Sequence, residues 1–404
     1  MKVSMISKGG IFVKVALFTD TFLPDVNGVA RTLGRWVDYL ESHGATCRVF
    51  APQSDGEAGS DYNSLLVERF YSVPFLLYPE CKLAIPNPIS IKKTLQEFKP
   101  DIIHCATPFN LGLYGLHYAK KHKIPVVASY HTHFDQYLQY YKIQWVEGML
   151  WRYLGWFHQT CRKIYVPSRS TLHYLMERGF SNLEVWSRGV DVSRFHPEVD
   201  REAVLRKAGA NPDKLSLLYV GRLAPEKSVD VLLEAYDRLP EELRSQTELI
   251  LAGDGPLYKE LTESYMDRKD IHFLGFTEGT ALTDLYAAAD LFVFPSATET
   301  FGNVVLEAMA SGTTVIGAAA GGVQDTVKHM ETGWLCQPGD AGAFAEAIAT
   351  LLENDTLRNQ MAQAGRAYSE LQTWDSIFSR LLDSYRQVVP ELGELSNHEL
   401  AAAK

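Results

Sequence analysis

Two carboxylates eight positions apart, Glu299 and Glu307, flank a stretch suited to holding an anion. An apolar run at 291–294 reads as a buried strand, and the segment from Gly302 to Gly312 reads as a helix. Gly302, Asn303 and Val304 then open that helix with backbone N–H groups that lack intrahelical partners. Such a helix start attracts phosphate, and glycine lets the phosphate come close. Glu299 repels phosphate, so it suits a neutral hydroxylated partner. Phosphate at the amides with carboxylates beside it describes a nucleotide sugar. Taken alone, the stretch fits equally well an ordinary strand-to-helix turn with a glutamate placed for the helix dipole. Other segments must discriminate.

Arg222 and Lys227 share one loop after the apolar run 215–220, where two cations can hold a diphosphate. Gly28 opens a helix after the first apolar strand, which gives one phosphate contact. The Gly-x-Gly-x-x-Gly of a dinucleotide site is missing there, and Gly253-Asp254-Gly255 is only a weak echo of it. His131, His133 and Asp135 alternate along an extended segment, so a metal is conceivable. No further ligand cluster supports one, and His131 at the carboxyl end of a strand is better suited to a polar substrate.

Elements that position these residues follow from the pattern. Apolar strands near 13–18, 47–52, 101–104, 126–130 and 163–166 alternate with helical segments, and a second series begins at Leu215. Alternation of this kind builds mainly parallel, doubly wound sheets, whose ligands bind beyond the carboxyl ends of the strands. Between the two series, about 189–215, the sequence turns polar, and the domain junction is placed there. The stretch 137–163 is the most aromatic of the chain. Leu150, Leu154, Phe157 and Cys161 form one helical stripe, while Trp145, Met149 and Trp156 form another, with Lys142, Arg152, Arg162 and Lys163 interleaved. A core helix is the favoured reading, and a surface meeting lipid headgroups is the second.

Length and composition are consistent with this. At 404 residues the chain is too long for one ordinary core. A hydrophobic fraction of 46% and a charged fraction of 22% are those of a soluble globular protein. Net charge of −10 argues against nucleic acid as a partner. Five scattered cysteines without a Cys-x-x-Cys pair imply reduced thiols in a cytoplasmic protein.

With these pieces in order, the chain resembles a retaining glycosyltransferase of family 4. The resemblance rests on Asn27-Gly28-Val29, His131, Gly189-Val190-Asp191, Gly221-Arg222 with Glu226-Lys227, and Glu299 to Glu307. Within that family, Ser129-Tyr130-His131-Thr132-His133 and Trp186-Ser187-Arg188-Gly189-Val190-Asp191 resemble the glycolipid α-mannosyltransferases and sulfoquinovosyl-diacylglycerol synthases. Ser228 departs from the family pattern where glycine is common, and Thr313-Thr314 where a proline often precedes the valine.

The resemblance implies an α/β, GT-B architecture of two Rossmann-like domains facing across a cleft. It assigns 1–195 to acceptor binding and 196–373 to the nucleotide sugar, with a helix at about 374–390 packing back on the first. Arg222 and Lys227 are expected to neutralise the diphosphate, and Gly28, Gly302, Asn303 and Val304 to add backbone donors. Glu307 is expected at the ribose, Glu299 at the donor-sugar hydroxyls, and His131 beside the reacting carbon. The reaction is hexosyl transfer from GDP-mannose or a UDP-hexose to an acceptor hydroxyl, with retention, no cofactor and no metal. A lipid or glycolipid acceptor and a peripheral place on the inner face of the plasma membrane extend that reading. A nucleotide-sugar epimerase of the same architecture and a non-catalytic sugar-binding protein are the competing readings.

Overall fold

The computed structural model describes residues 13–25, 27–53, 66–74, 82–133, 135, 138 and 144–389. The expected tail from Glu391 and the residues before 13 lie outside them.

Two parallel sheets carry the fold. The first has seven strands in the order β3-β2-β1-β6-β7-β8-β9. They are β1 (Lys14–Phe18), β2 (Thr46–Pro52), β3 (Val67–Phe70), β6 (Ile102–Cys105), β7 (Val126–Ser129), β8 (Ile164–Val166) and β9 (Leu183–Val185). β4 (Ser72–Pro74) and β5 (Lys82–Ala84) form a small antiparallel pair at its margin, which the strand–helix pattern does not predict. The second sheet has six strands in the order β12-β11-β10-β13-β14-β15. These are β10 (Leu215–Val220), β11 (Thr247–Ala252), β12 (Ile271–Gly275), β13 (Leu291–Phe294), β14 (Thr314–Ala318) and β15 (Gly333–Cys336).

Helices cover both faces of each sheet, which is why the central strands are buried along their whole length: β6, β7 and β13 have no exposed residue. Each sheet reverses its winding at one place, between β1 and β6 in the first and between β10 and β13 in the second. At such a reversal the two flanking loops diverge and leave a crevice beyond the carboxyl ends of the strands.

The C-terminal helix, Trp374–Val388, buries Ile377, Phe378, Leu381, Leu382 and Tyr385 in the core of the first sheet. There Tyr385 meets Trp36 edge-on at 5.5 Å between ring centroids, and Phe378 lies 5.3 Å from the same indole. Fully burying each such side chain is worth roughly 1.5–3 kcal/mol. The chain therefore crosses between domains twice, and the crossings touch: the Val190 amide donates to the Gln372 carbonyl at 2.9 Å.

Candidate active site

The two crevices face each other and merge into one cleft of about 680 Å³. Every residue proposed from sequence for the site lines it: Gly28, His131, Arg222, Lys227, Glu299, Gly302, Asn303, Val304 and Glu307. Gly28 follows β1, Arg222 and Lys227 follow β10, and Glu299 follows β13, so these come from the strands flanking the two reversals. His131 follows β7, one strand beyond β6.

The site helix runs Asn303–Ala310, and Gly302 caps it at φ 85°, ψ 61°. This left-handed geometry is cheap only for glycine. The first helical residues it introduces, Asn303 and Val304, line the cleft. The preceding loop is fixed from behind: the Gly322 amide donates to the Glu299 carbonyl at 2.7 Å, and a Cβ on Gly322 would fall 2.3 Å from the Phe301 Cα. Glu299 is thereby held facing Lys227, whose Nζ lies 2.5 Å from its Oε1, with both side chains less than a fifth exposed. Ser296 Oγ donates to the same carboxylate oxygen at 3.2 Å.

Lys227 ends a short 3₁₀ turn, Pro225–Lys227, and Ser228 after it sits at φ 53°. That conformation supplies the physical reason a glycine is usual at this place. Arg222 Nη1 stands 3.8 Å from Glu226 Oε1, and Glu226 is buried, its carbonyl accepting from Thr298 Oγ1 at 3.0 Å. The cation loop and the acid loop are thus bound to each other by side chains and backbone.

Glu307 Oε2 accepts from the Tyr286 hydroxyl at 3.1 Å. Burial pushes its carboxyl above the usual range, opposed by that hydrogen bond and by Arg31, Arg35 and Arg194 nearby. Sequence reasoning missed these arginines. Arg31 and Arg35 are one turn apart on the helix Gly28–Ser42, a spacing legible beforehand. Arg35 also lies over the Trp374 ring at 5.0 Å, which ties the first domain's helix to the start of the C-terminal one.

His131 is buried, and both ring nitrogens are engaged by protein. Arg188 Nη2 lies 2.8 Å from Nδ1, and Ser129 Oγ lies 2.8 Å from Nε2. Arginine can only donate, so Nδ1 accepts and the proton sits on Nε2. Burial, Arg188 and His104 hold the imidazole well below its ordinary pKa, so it is neutral. The ring is therefore less free for substrate than its place in the sequence suggests. Its backbone carbonyl accepts from Thr300 Oγ1 of the opposite domain at 2.9 Å, tying the acid loop to the histidine loop.

Arg188 is itself buried without a carboxylate within ion-pair distance among the described residues. Burial lowers its pKa to about 9. It stood in the Trp186–Asp191 phrase, but nothing there signalled that it points inward. Asp191 from the same phrase turns its Oδ1 to the Ser193 and Arg194 amides, at 3.1 and 3.2 Å, and so shapes the loop. His133 and Asp135 do not join His131 in a ligand set: His133 packs edge-on to Tyr174, whose hydroxyl donates to Asp135. Among the described residues no three His, Cys, Asp or Glu side chains converge as metal ligands.

The aromatic stretch resolves into two faces of the helix Glu147–His158 and the turn before it. Leu154, Phe157 and Cys161 are buried, as the core reading requires. Trp145 is 83% exposed, Met149 58% and Trp156 49%. Four of the five cysteines, Cys47, Cys105, Cys161 and Cys336, are free and buried, and Cys81 lies outside the described residues.

Comparison with known proteins identifies the family. Residues 26–194 match the family described as Glycosyltransferase Family 4, and residues 200–368 match Glycosyl transferases group 1. A "GDP-mannose-dependent alpha-mannosyltransferase" of Corynebacterium glutamicum is 32% identical over 93% of this chain and 89% of its own length. "Sulfoquinovosyl transferase SQD2" of Arabidopsis thaliana is 31% identical over 91% of this chain and 72% of its own. In structure, the sucrose-phosphate synthase from Thermosynechococcus elongatus superposes with a TM-score of 0.78, at 23% identity, covering 93% of this chain and 99% of that one. The relatives are transferases, which sets aside the epimerase and the non-catalytic readings. Two Rossmann-like domains, matched family by family along the chain, make this protein a GT-B glycosyltransferase of family 4.

Proposed function

We propose that the chain moves a hexose from a nucleoside-diphosphate sugar to a hydroxyl of a lipid or glycolipid, with retention of configuration and without a metal ion. The observation that carries this is the single cleft shared by Lys227–Glu299, the amide end of the site helix, Glu307, and His131 from the other domain. Arg222, Lys227 and the amides of Gly28 and Gly302 to Val304 take the diphosphate, Glu307 the ribose, and Glu299 the donor sugar. Stabilising the departing diphosphate is then the main catalytic contribution, and two cations can supply the charge a magnesium ion would. His131, neutral and held at both nitrogens, is not poised as a base. A departing phosphate oxygen therefore takes the acceptor proton, and the histidine holds the donor sugar in place.

The acceptor class is supported by the exposed stripe. Trp145, Met149, Arg152 and Trp156 recur at four, three and four positions along one helical face, and all four are exposed. Lys120 Nζ lies 5.4 Å over the Trp156 ring and, with Lys123 and Arg162, lines a shallow depression. Tryptophans beside cations suit the headgroup layer of an anionic bilayer. No helix among the described residues is long and apolar enough to cross a membrane, so contact of this kind is peripheral.

The test is a matrix of GDP-mannose, UDP-glucose and UDP-sulfoquinovose against diacylglycerol and glycolipid acceptors in anionic vesicles, with the product anomer read by NMR. Transfer with retention, undiminished by EDTA, is expected. Inversion, or complete loss in EDTA restored by Mg²⁺, refutes the mechanism. Trp145→Glu with Trp156→Glu is expected to abolish sedimentation with phosphatidylglycerol vesicles, and undiminished sedimentation refutes the membrane face.

A further inference from the structure

The face of the first sheet that receives the C-terminal helix is built from Ile102, Ala106, Val127 and Tyr165. Two polar residues interrupt it, His104 on β6 and Ser129 on β7, both fully inside. They do not point at random. Ser129 Oγ lies 2.9 Å from His104 Nε2, and His104 Nδ1 lies 2.5 Å from the Tyr385 hydroxyl. Together with the His131 and Arg188 contacts, this makes one unbroken buried chain, Arg188–His131–Ser129–His104–Tyr385, from the cleft to the C-terminal helix.

Arg188 fixes the direction of the chain, because it has no lone pair to offer. His131 Nε2–H then donates to Ser129, the Ser129 hydroxyl donates to His104 Nε2, and His104 Nδ1–H donates to Tyr385. Every internal member is satisfied in this arrangement, and turning the His131 ring over would break it at two points. Buried polar networks of this kind specify one geometry when complete and lose it when a member is removed.

We propose that Tyr385, acting through His104 and Ser129, is a positioning residue for His131, so that docking of the C-terminal helix completes the transferase site of the opposite end of the chain. The helix returns to the first domain after the whole second sheet has been traversed, and His131 carries the carbonyl that Thr300 grips across the cleft. Tyr385 thus sets the ring, the ring sets the loop, and the loop meets the donor domain. The inference rests on the place given to His131 beside the donor sugar.

The test is a double-mutant cycle on turnover. Tyr385→Phe keeps the buried ring and removes only the hydroxyl; Ser129→Ala cuts the chain one step from His131. Tyr385→Phe is expected to lower kcat about fivefold or more, with the donor Kd by calorimetry and the donor KM within twofold of the parent. In the Ser129→Ala background it is expected to add nothing, because the chain is already cut. An unchanged kcat, or losses that multiply in the double variant, overturns the proposal. A fall in the fraction of folded, donor-binding protein large enough to account for the loss in kcat also overturns it, by assigning the hydroxyl to folding. His131→Ala separates the two layers: full kcat there refutes the role of His131 itself, whereas multiplying losses refute only the link to Tyr385.

Discussion

Removing the charge of Lys227 while keeping its length, as Lys227→Met, separates the catalytic role proposed for that residue from its structural one. Nζ lies 2.5 Å from Glu299 Oε1, and the side chains are only 17% and 18% exposed. Deleting the ammonium leaves a carboxylate largely withdrawn from water, which costs about 1–3 kcal/mol. Taking about 2 kcal/mol at roughly 2–4 °C per kcal/mol for a domain of this size gives a fall in Tm of about 4–8 °C. Transfer should fall much further, by about 10²–10³ in kcat, the loss typical of removing one group that stabilises transition-state charge. Scanning calorimetry and initial-rate assays on the same preparation read both. In Lys227→Met with Glu299→Gln the stranded carboxylate is gone, so most of the lost Tm returns while turnover stays low. A kcat loss below tenfold, or turnover that recovers with Tm, refutes the assignment of Lys227 to the leaving diphosphate.

Ser228→Gly is expected to raise stability by about 0.5–1 kcal/mol, because it relieves a left-handed residue at the cost of some unfolded-state entropy; a lower denaturation midpoint contradicts this. Acid should destabilise the fold. Burial lowers the folded-state pKa of His104 to about 3 and of His133 and His158 to about 4, and His131 shifts the same way. Between about pH 6.5 and 4 the unfolded chain therefore binds the extra protons, and stability falls with pH by about 1.4 kcal/mol per unit per histidine. Asp20, raised to about 7 by burial, runs the other way and offsets one of the four. Urea midpoints measured across this window should fall steeply, and a flat profile refutes the buried neutral state.

Much of the half contributed by the second sheet was legible because it is local. β13, its loop and the site helix are consecutive, and the spacing of Glu299 and Glu307 fixes their sides of the helix start without help from elsewhere. The cation loop after β10 was legible for the same reason. The half contributed by the first sheet was harder. His131 looked available because its partners come from β7, from the loop after β9 and, through β6, from a helix more than 250 residues away; only the fold assembles them. Arg188 was visible only as part of the Trp186–Asp191 phrase, because nothing local shows that its guanidinium reaches His131. β4 and β5 are three residues each, too short to show a period of two. Ser228 was visible as a departure, but its φ was not, so the reason glycine is usual there had to come from the backbone.

Pairing of Lys227 with Glu299 has a consequence for turnover. A lysine that keeps its counter-ion binds the ground-state diphosphate less tightly than a bare one would. In the proposed mechanism charge gathers on the departing phosphate as the sugar leaves, and the ammonium is the group assigned to meet it. The pair thus withholds affinity from the diphosphate, most of all from the product, which carries the fullest charge. Glu299→Gln removes the withheld part. The nucleoside diphosphate should then bind more tightly, by on the order of 1 kcal/mol or about fivefold in Kd. Turnover should fall, from slower product release and a lost sugar contact together. Calorimetric titration with GDP and UDP reads the first effect without any acceptor. Unchanged or weaker diphosphate binding in Glu299→Gln would show that the glutamate does not oppose the leaving group, and the argument from the ion pair would fail.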